Sequence, residues 1–458
     1  MTARRTELLV VGGLALVAVL AWALIPTYPN YDAYYHLDWG REVVHGHRPT
    51  FEAYQAPTEH PLYLALCAVL GLLGQHADRI LVLVTCLCHV AFTYAVYRLG
   101  AALWDRRAGV AAALLAGSSF ALLLYAARAY VDEPFLALVL WAAALEAERP
   151  RRGGVVWTLL ILAGLLRPEA WILGGLYWLW VGPTPRRAVL VALAPVGWCL
   201  VDLAVTGDPL FSLHSTSDLA DELNRSRSFS EVPGDFVTFL ADTAREPVAI
   251  AGVIGALWAW RRRDAEPTRA VHVPLALFAA GAFTFFATSA AGLSVLPRYL
   301  TVPAVALCLP AGWLITRSRV LLVLAVVAGL AFVVVRADAF DRLATELRFI
   351  RSTHDGLTAV LRTPEVRAGR RCGPVTLPNY RLVPDARWIL DATQKQVGSR
   401  SARPRTSGVA LLLVGDKLLR RYGFADGASP KTNAPPDGFV RGPRRDGFTA
   451  YVGCPAGR

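Results

Sequence analysis

Long apolar runs separated by short polar segments dominate the first 335 residues of the chain. A helix of about 20 apolar residues crosses the hydrocarbon core of a bilayer, which is about 30 Å thick. The pattern therefore predicts an all-α polytopic membrane region with about eleven transmembrane helices. The predicted spans are 8–25, 79–99, 108–127, 133–147, 154–166, 169–182, 187–205, 246–260, 271–291, 299–316 and 319–335.

Two of these runs, 154–166 and 169–182, are too short to cross a bilayer alone. Each holds about 12 apolar residues, or roughly 18 Å of helix. Arg167-Pro168-Glu169 separates them, and merging them into one kinked span would invert the sidedness of every later polar segment. We therefore predict two short helices that meet below the outer surface, because non-helical backbone at that depth is tolerated where it lines a protein or water cavity.

Basic residues between the apolar runs set the predicted orientation, because cytoplasmic loops carry an excess of Lys and Arg. One alternating topology places six basic clusters inside and predicts a cytoplasmic N-terminus. Segments 26–78 and 206–245 and the tail from residue 336 are then outside. The clusters are Arg4-Arg5, Arg98 with Arg106-Arg107, Arg149 with Arg151-Arg152, Arg186-Arg187, Arg261-Arg262-Arg263, and Arg317 with Arg319.

Composition agrees with a multi-pass protein of the plasma membrane. Of 458 residues, 55% are hydrophobic and 18% are charged, and mean hydropathy is +0.40; soluble domains rarely combine these values. The net charge is +12. Because many of the arginines lie in the inner clusters, this charge reflects topology, and no nucleic-acid partner is predicted.

The outer segment 26–78 contains an amphipathic stretch at 34–44 and an apolar stretch at 62–73. We predict that both form helices along the outer membrane interface. Tyrosines in this segment fit an interfacial aromatic belt, and some of them are candidates for stacking on sugar. They are Tyr28, Tyr31, Tyr34, Tyr35 and Tyr54.

The tail is predicted to form a small mixed α/β extracytoplasmic domain at 336–458, following a membrane domain at 1–335. Runs 375–377, 409–414 and 448–452 have strand character, and 395–407 and 425–446 have the composition of loops. Cys372 and Cys454 flank this segment. A disulfide between them fits an extracytoplasmic location, and the sequence leaves it open.

An unusual set of charges lies on the predicted outer side. Arg128, Arg167 and Arg298 occupy outer helix ends, against the inside bias of the other loops, near the acidic Asp132 and Glu133. Ionisable residues at membrane depth are costly and indicate a functional partner. That partner is a carboxylate or a phosphate, which guanidinium groups bind with two hydrogen bonds.

Asp32 is the candidate catalytic base, because a glycosyl transfer needs a group that takes the proton from the attacking hydroxyl. The alternative is that Asp32 caps the helix that follows. Asp132-Glu133-Pro134 likewise fits either an acidic helix start or a second acidic group that binds a sugar hydroxyl or a cation. Glu59-His60-Pro61 fits either a turn or a part of the site.

The order and common side of these motifs resemble the GT-C superfamily of membrane glycosyltransferases, in the style of protein mannosyltransferases and aminoarabinose transferases. The motifs are the early acidic Asp32, His60-Pro61, Arg128 to Pro134, Arg167-Pro168-Glu169, and Pro297-Arg298-Tyr299. The resemblance implies a hexosyl- or pentosyltransferase with a polyprenyl-phosphate sugar donor, working at the outer face. The acceptor class, whether glycan, lipid or protein, stays open.

The resemblance also implies roles for individual residues. Asp32 would be the base, Arg298 or Arg167 would hold the lipid phosphate, and Asp132 and Glu133 would shape the sugar site. The other substrate-binding candidates are Arg128, Glu169, Tyr299, His60 and Glu59. No metal site or cofactor is assigned. The first outer loop lacks a DxD-type acidic pair, so dependence on a divalent cation stays an open question.

Two other function classes remain. A transporter or flippase of a lipid-linked sugar would also need outer charges and broken helices, but the chain has no paired half-sequence repeat. A non-catalytic scaffold subunit of the cell envelope would make Asp32 dispensable.

Overall fold

A computed structural model describes residues 2–151, 153–222, 230–423 and 430–455. Arg152 of the third basic cluster and parts of two predicted loops, 223–229 and 425–429, lie outside these ranges. The helices up to residue 335 are α1 Thr2–Leu24, α2 Tyr31–Val44, α3 Pro61–Gly71, α4 Ala77–Leu103, α5 Arg106–Gly117, α6 Phe120–Ala127, α7 Asp132–Glu148, α8 Gly154–Gly164, α9 Glu169–Val181, α10 Pro185–Thr206, α11 Phe211–Glu222, α12 Val232–Ala244, α13 Glu246–Arg261, α14 Thr268–Ala290, α15 Thr301–Ile315 and α16 Arg319–Val335.

Every predicted span coincides with helix, but the count of about eleven spans is not confirmed. Among the described residues, five helices are long and apolar enough to cross a membrane, and one bent pair, α5 with α6, would make a sixth. The apolar helices α3, α8 and α16 are shorter. The five are Arg5–Leu24, Gly74–Leu103, Pro185–Thr206, Thr268–Ala290 and Pro297–Ile315.

The predicted span 108–127 is not one straight helix. It bends by 62° between α5 and α6, at Ser118 and Ser119. A helix break exposes carbonyl groups that a bilayer cannot hydrate. The guanidinium of Arg245 satisfies them by donating to the carbonyl of Leu115 and to the hydroxyl of Ser118 at 3.1 Å, and the Ser119 hydroxyl donates to the carbonyl of Thr243 at 3.0 Å.

The two short helices predicted around Arg167 are present as α8 and α9. Leu165 to Pro168 join them, and Arg167 in this junction is only 4% exposed. The break therefore lies inside the protein, as its non-helical backbone requires.

The tail folds as a mixed α/β unit with its own apolar core. Its elements are α17 Ala337–Leu361, α18 Pro364–Gly369, β1 Val375–Leu377, α19 Val383–Leu390, β2 Val397–Ser399, β3 Gly408–Leu413, α20 Asp416–Leu418, β4 Val440–Arg445 and β5 Phe448–Gly453. The sheet has the order β2-β1-β3-β5-β4, in which β1 pairs in parallel with β2 and β3, and β5 pairs antiparallel with β3 and β4.

The three strands predicted in the tail are confirmed as β1, β3 and β5. The segments 395–407 and 425–446 were predicted as loops, and this is wrong in part because they contain the edge strands β2 and β4. Cys372 and Cys454 form a disulfide that joins the chain after α18 to the end of β5.

Helix α2 is enclosed by protein on two sides. It packs on α3 along one side and on α19 of the tail along the other, and every residue from Ala33 to Arg41 is buried. Arg41 bonds to Asp391 of the tail at 2.9 Å, and Arg387 of α19 bonds to Glu42 at 2.7 Å. Tyr34 and Tyr35 are therefore core residues and not part of an exposed aromatic belt.

Candidate active site

Asp32 lies in the first turn of α2 and does not cap it. The cap is Asn30, whose side-chain oxygen accepts a hydrogen bond from the Ala33 amide at 3.0 Å. The Asp32 carboxylate instead accepts one from Arg298 Nη1 at 2.8 Å. Arg298 lies in a 3₁₀ turn, Pro297–Leu300, that leads into α15. The side chains of Arg298 and Asp32 are 23% and 26% exposed, so this ion pair is accessible.

Beside this pair lies a second ion cluster that is almost completely buried. Arg167 bonds to Asp132 at the start of α7, and its Nε donates to Glu169 Oε1 at 3.0 Å. The side chains of these residues are at most 5% exposed. The guanidinium of Arg167 also lies 5.1 Å from the ring centre of Tyr299. Because Tyr299 follows Arg298, the cluster supports the turn that carries Arg298.

A small cavity adjoins the Asp32–Arg298 pair. His60, which was predicted from the sequence, is among its lining residues, and so is His36, which was not. The other described residues around the cavity are Asn30, Ala33, Tyr63, Ala129, Tyr130 and Val131.

His36 fixes the backbone around Asp32. Its Nε2 accepts a hydrogen bond from the His60 amide at 3.1 Å, so its proton is on Nδ1, which donates to the carbonyl of Asp32 at 2.7 Å. Burial lowers the pKa of His36 to about 4, which keeps this neutral tautomer at physiological pH. The imidazole of His60 stacks on His36 with ring centres 5.3 Å apart, and burial also lowers the pKa of His60.

Three predicted site residues belong to neither of these ion groups. Glu133 follows Asp132 but bonds to His89 of α4 at 3.0 Å. Arg128 donates to the carbonyl of Pro29 at 2.9 Å and so supports the segment before α2. Glu59 is buried, and neither of its carboxylate oxygens has a hydrogen-bond partner among the described residues. Burial, together with Asp202, raises the pKa of Glu59 well above its usual range.

Asp132 keeps one carboxylate oxygen, Oδ2, without a hydrogen-bond partner among the described residues. In the same part of the chain, no group of three or more His, Cys, Asp or Glu side chains is arranged to hold a metal ion. The arrangement is thus an accessible carboxylate–arginine pair next to a buried acidic group that has a free acceptor oxygen.

Comparisons with known proteins find relatives by structure and not by sequence. No family model and no curated protein matches the chain. ArnT from Cupriavidus metallidurans, solved bound to undecaprenyl phosphate, aligns over 96% of this chain and 97% of its own, with a TM-score of 0.59 and 13% identity. The oligosaccharyltransferase of Archaeoglobus fulgidus, solved with a tethered acceptor peptide, aligns over 98% of this chain and 75% of its own, with a TM-score of 0.53 and 12% identity.

These neighbours are an aminoarabinose transferase and an oligosaccharyltransferase, both of the GT-C superfamily. Together with the apolar helices, they mark the chain as a multi-pass membrane protein. The resemblance noted in the sequence is confirmed at the level of the fold: this chain shares the fold of these two structures.

Proposed function

We propose that the chain is an integral membrane glycosyltransferase that moves a sugar from a polyprenyl-phosphate donor to an acceptor hydroxyl at the outer face, with inversion. The observation that carries the proposal is the accessible Asp32–Arg298 pair. A carboxylate and a guanidinium at one place supply the two charges that this reaction needs.

Asp32 takes the proton of the acceptor hydroxyl as the hydroxyl oxygen forms a bond to the anomeric carbon. The bond from that carbon to the donor phosphate oxygen breaks, and its electron pair stays on the phosphate. One displacement inverts the anomeric configuration. The leaving group is a phosphate and needs little protonation, so one carboxylate is sufficient.

Arg298, and not Arg167, is the proposed ligand of the lipid phosphate. Arg167 is buried and already neutralised by Asp132 and Glu169, whereas Arg298 is accessible. A donor phosphate competes with Asp32 for Arg298, so donor binding frees the carboxylate to act as a base. Asp132 is equally buried and does not line the cavity, so its proposed role is to hold Arg167 beside the turn that carries Arg298. Glu169 also binds Arg167, Tyr299 packs against Arg167, and His60 lines the cavity beside Asp32.

The proposed function is tested by comparing two classes of sugar donor. Membranes that contain the protein are supplied with labelled polyprenyl-phosphate mannose or arabinose, or with the same sugars as nucleotide sugars. With a polyprenyl-phosphate donor, we expect the protein to move label out of the donor lipid fraction, and membranes without the protein to leave it there. With a nucleotide sugar, we expect the protein to transfer no label. Transfer from a nucleotide sugar, or movement of intact donor lipid across vesicles without transfer, would contradict the proposal.

We also propose that the N-terminus is cytoplasmic, that residues 1–335 form the membrane domain, and that residues 336–458 are extracytoplasmic. The six basic clusters support this orientation, and the Cys372–Cys454 disulfide fits an oxidising compartment.

A reporter that is active only outside the cytoplasm tests this orientation. We expect alkaline phosphatase fused after Val335 to be active, because the preceding helix α16 would end on the outer side. The same reporter fused after Arg317, in the last inner cluster, is the control and should be inactive. The reverse pattern would show that the chain has the opposite orientation.

A further inference from the structure

The tail carries a groove lined by cations that the proposed chemistry does not use. Two adjoining cavities, of about 150 and 510 Å³, share Pro374 and Lys395. No Asp or Glu is among the described residues that line either cavity. Apart from Arg387, the cationic lining residues, called the basic groove below, are Arg367, Arg370, Arg371, Lys395, Arg403 and Arg405.

The charges of the basic groove have no acidic partner in the part of the chain that the structure describes. Within the described residues, none of its six side chains forms an ion pair or donates a side-chain hydrogen bond. Arg387 lines the same cavity but differs, because Glu42 and Asp38 neutralise it. Residues 362–405 contain ten Lys or Arg and three Asp or Glu. Like charges held together at this density lower the stability of the compact domain unless an anion binds to them.

Aromatic rings line the end of the groove that lies against the outer segment. Tyr35, Tyr54 and Tyr380 contribute to the lining, and the rings of Tyr54 and Tyr380 are 6.4 Å apart. Tyr31 lies 5.6 Å from Tyr380 by ring centres and precedes Asp32 in the chain. The aromatic end of the groove therefore reaches the turn of α2 that carries the proposed base.

We propose that the basic groove binds the acceptor and that the acceptor is an anionic saccharide, with carboxylate or phosphate groups on its sugars. Guanidinium groups bind both anions with two hydrogen bonds, and the ring of Tyr54, which is 37% exposed, offers apolar surface to a sugar ring. Cations line both cavities and no Asp or Glu among the described residues does, which favours a chain of charged sugars over an uncharged acyl chain. The inference rests on the proposed function, since it names the acceptor class of the same site.

Binding is measured without catalysis, with the full-length protein in nanodiscs of phosphatidylcholine. The probes are fluorescent hexagalacturonate and neutral maltohexaose, at low and high salt. We expect hexagalacturonate to bind, to weaken as salt rises, and to bind at least tenfold more tightly than maltohexaose. Lys395→Gln with Arg403→Gln should weaken binding at least tenfold.

Arg441→Gln with Arg444→Gln is the matched control. It removes the same charge from exposed positions of β4 in the same domain and should leave binding unchanged, and a melting curve for each protein verifies folding. Equal loss in both double variants, equal binding of maltohexaose, or displacement of the probe by phosphatidylglycerol in the nanodiscs would each overturn the proposal. If the wild-type protein binds the saccharide but transfers no sugar, the result counts against the proposed function alone. If it transfers sugar but does not bind the saccharide, the result counts against the groove alone.

Discussion

Asp32→Asn is expected to slow sugar transfer by about 100- to 10,000-fold, the usual loss when a positioned general base is removed. Asparagine has nearly the same shape and keeps an oxygen that can accept from Arg298, but it does not take up a proton at neutral pH. The measurement is the initial rate of label transfer from polyprenyl-phosphate sugar in membranes with equal amounts of each protein.

A measurement of donor binding shows whether Asp32 acts as the base or only as a structural partner of Arg298. Asparagine releases Arg298 from its ion pair, so retention of polyprenyl phosphate by the variant should be equal to or stronger than that of the wild type. Asp218→Asn is the control, because Asp218 is exposed on α11, and it should leave the rate unchanged. A wild-type rate in Asp32→Asn would exclude Asp32 as the base, and loss of donor binding in step with the rate would make it a positioning residue.

The sequence predicts well what depends on local composition. Apolar runs locate the helices, and the position of Arg167-Pro168 predicts the junction of α8 and α9, because a proline and a charge together interrupt an apolar helix. Strands β1, β3 and β5 are apolar enough to be recognised. The edge strands are not: β4 contains Gly442 and Pro443, where its pairing with β5 shifts register, and such residues are typical of loops and of sheet edges alike.

Features that depend on long-range partners are not predictable from composition. The break between α5 and α6 occurs in an apolar run with two serines. Arg245, far along the chain, donates the hydrogen bonds that the polar groups at this break need.

The candidate site shows the same limit. Asp32 and Arg298 were both predicted, but their pairing across 266 positions was not. His36 was missed, although its spacing of four residues from Asp32 places it on the same face of α2.

Arg167→Met is expected to lower the free energy of unfolding by about 3–5 kcal/mol, because it leaves two carboxylates, those of Asp132 and Glu169, buried without a cation. Arg336→Met is the matched control. Arg336 pairs with Glu246 where both side chains are 48% exposed, and such a surface pair contributes at most about 1 kcal/mol. The measurement is thermal or denaturant unfolding of the purified proteins in one detergent.

Neutralising the carboxylates should restore stability without restoring transfer. In the triple variant Arg167→Met, Asp132→Asn and Glu169→Gln this cluster buries no uncompensated charge, and replacing a buried ion cluster by neutral groups is often harmless to stability. Transfer should remain low, because the side chain at position 167 no longer supports Tyr299 and the turn that carries Arg298. If Arg167→Met is as stable as wild type, the cluster is not the buried charge network described; if the triple variant is fully active, the cluster serves only the fold.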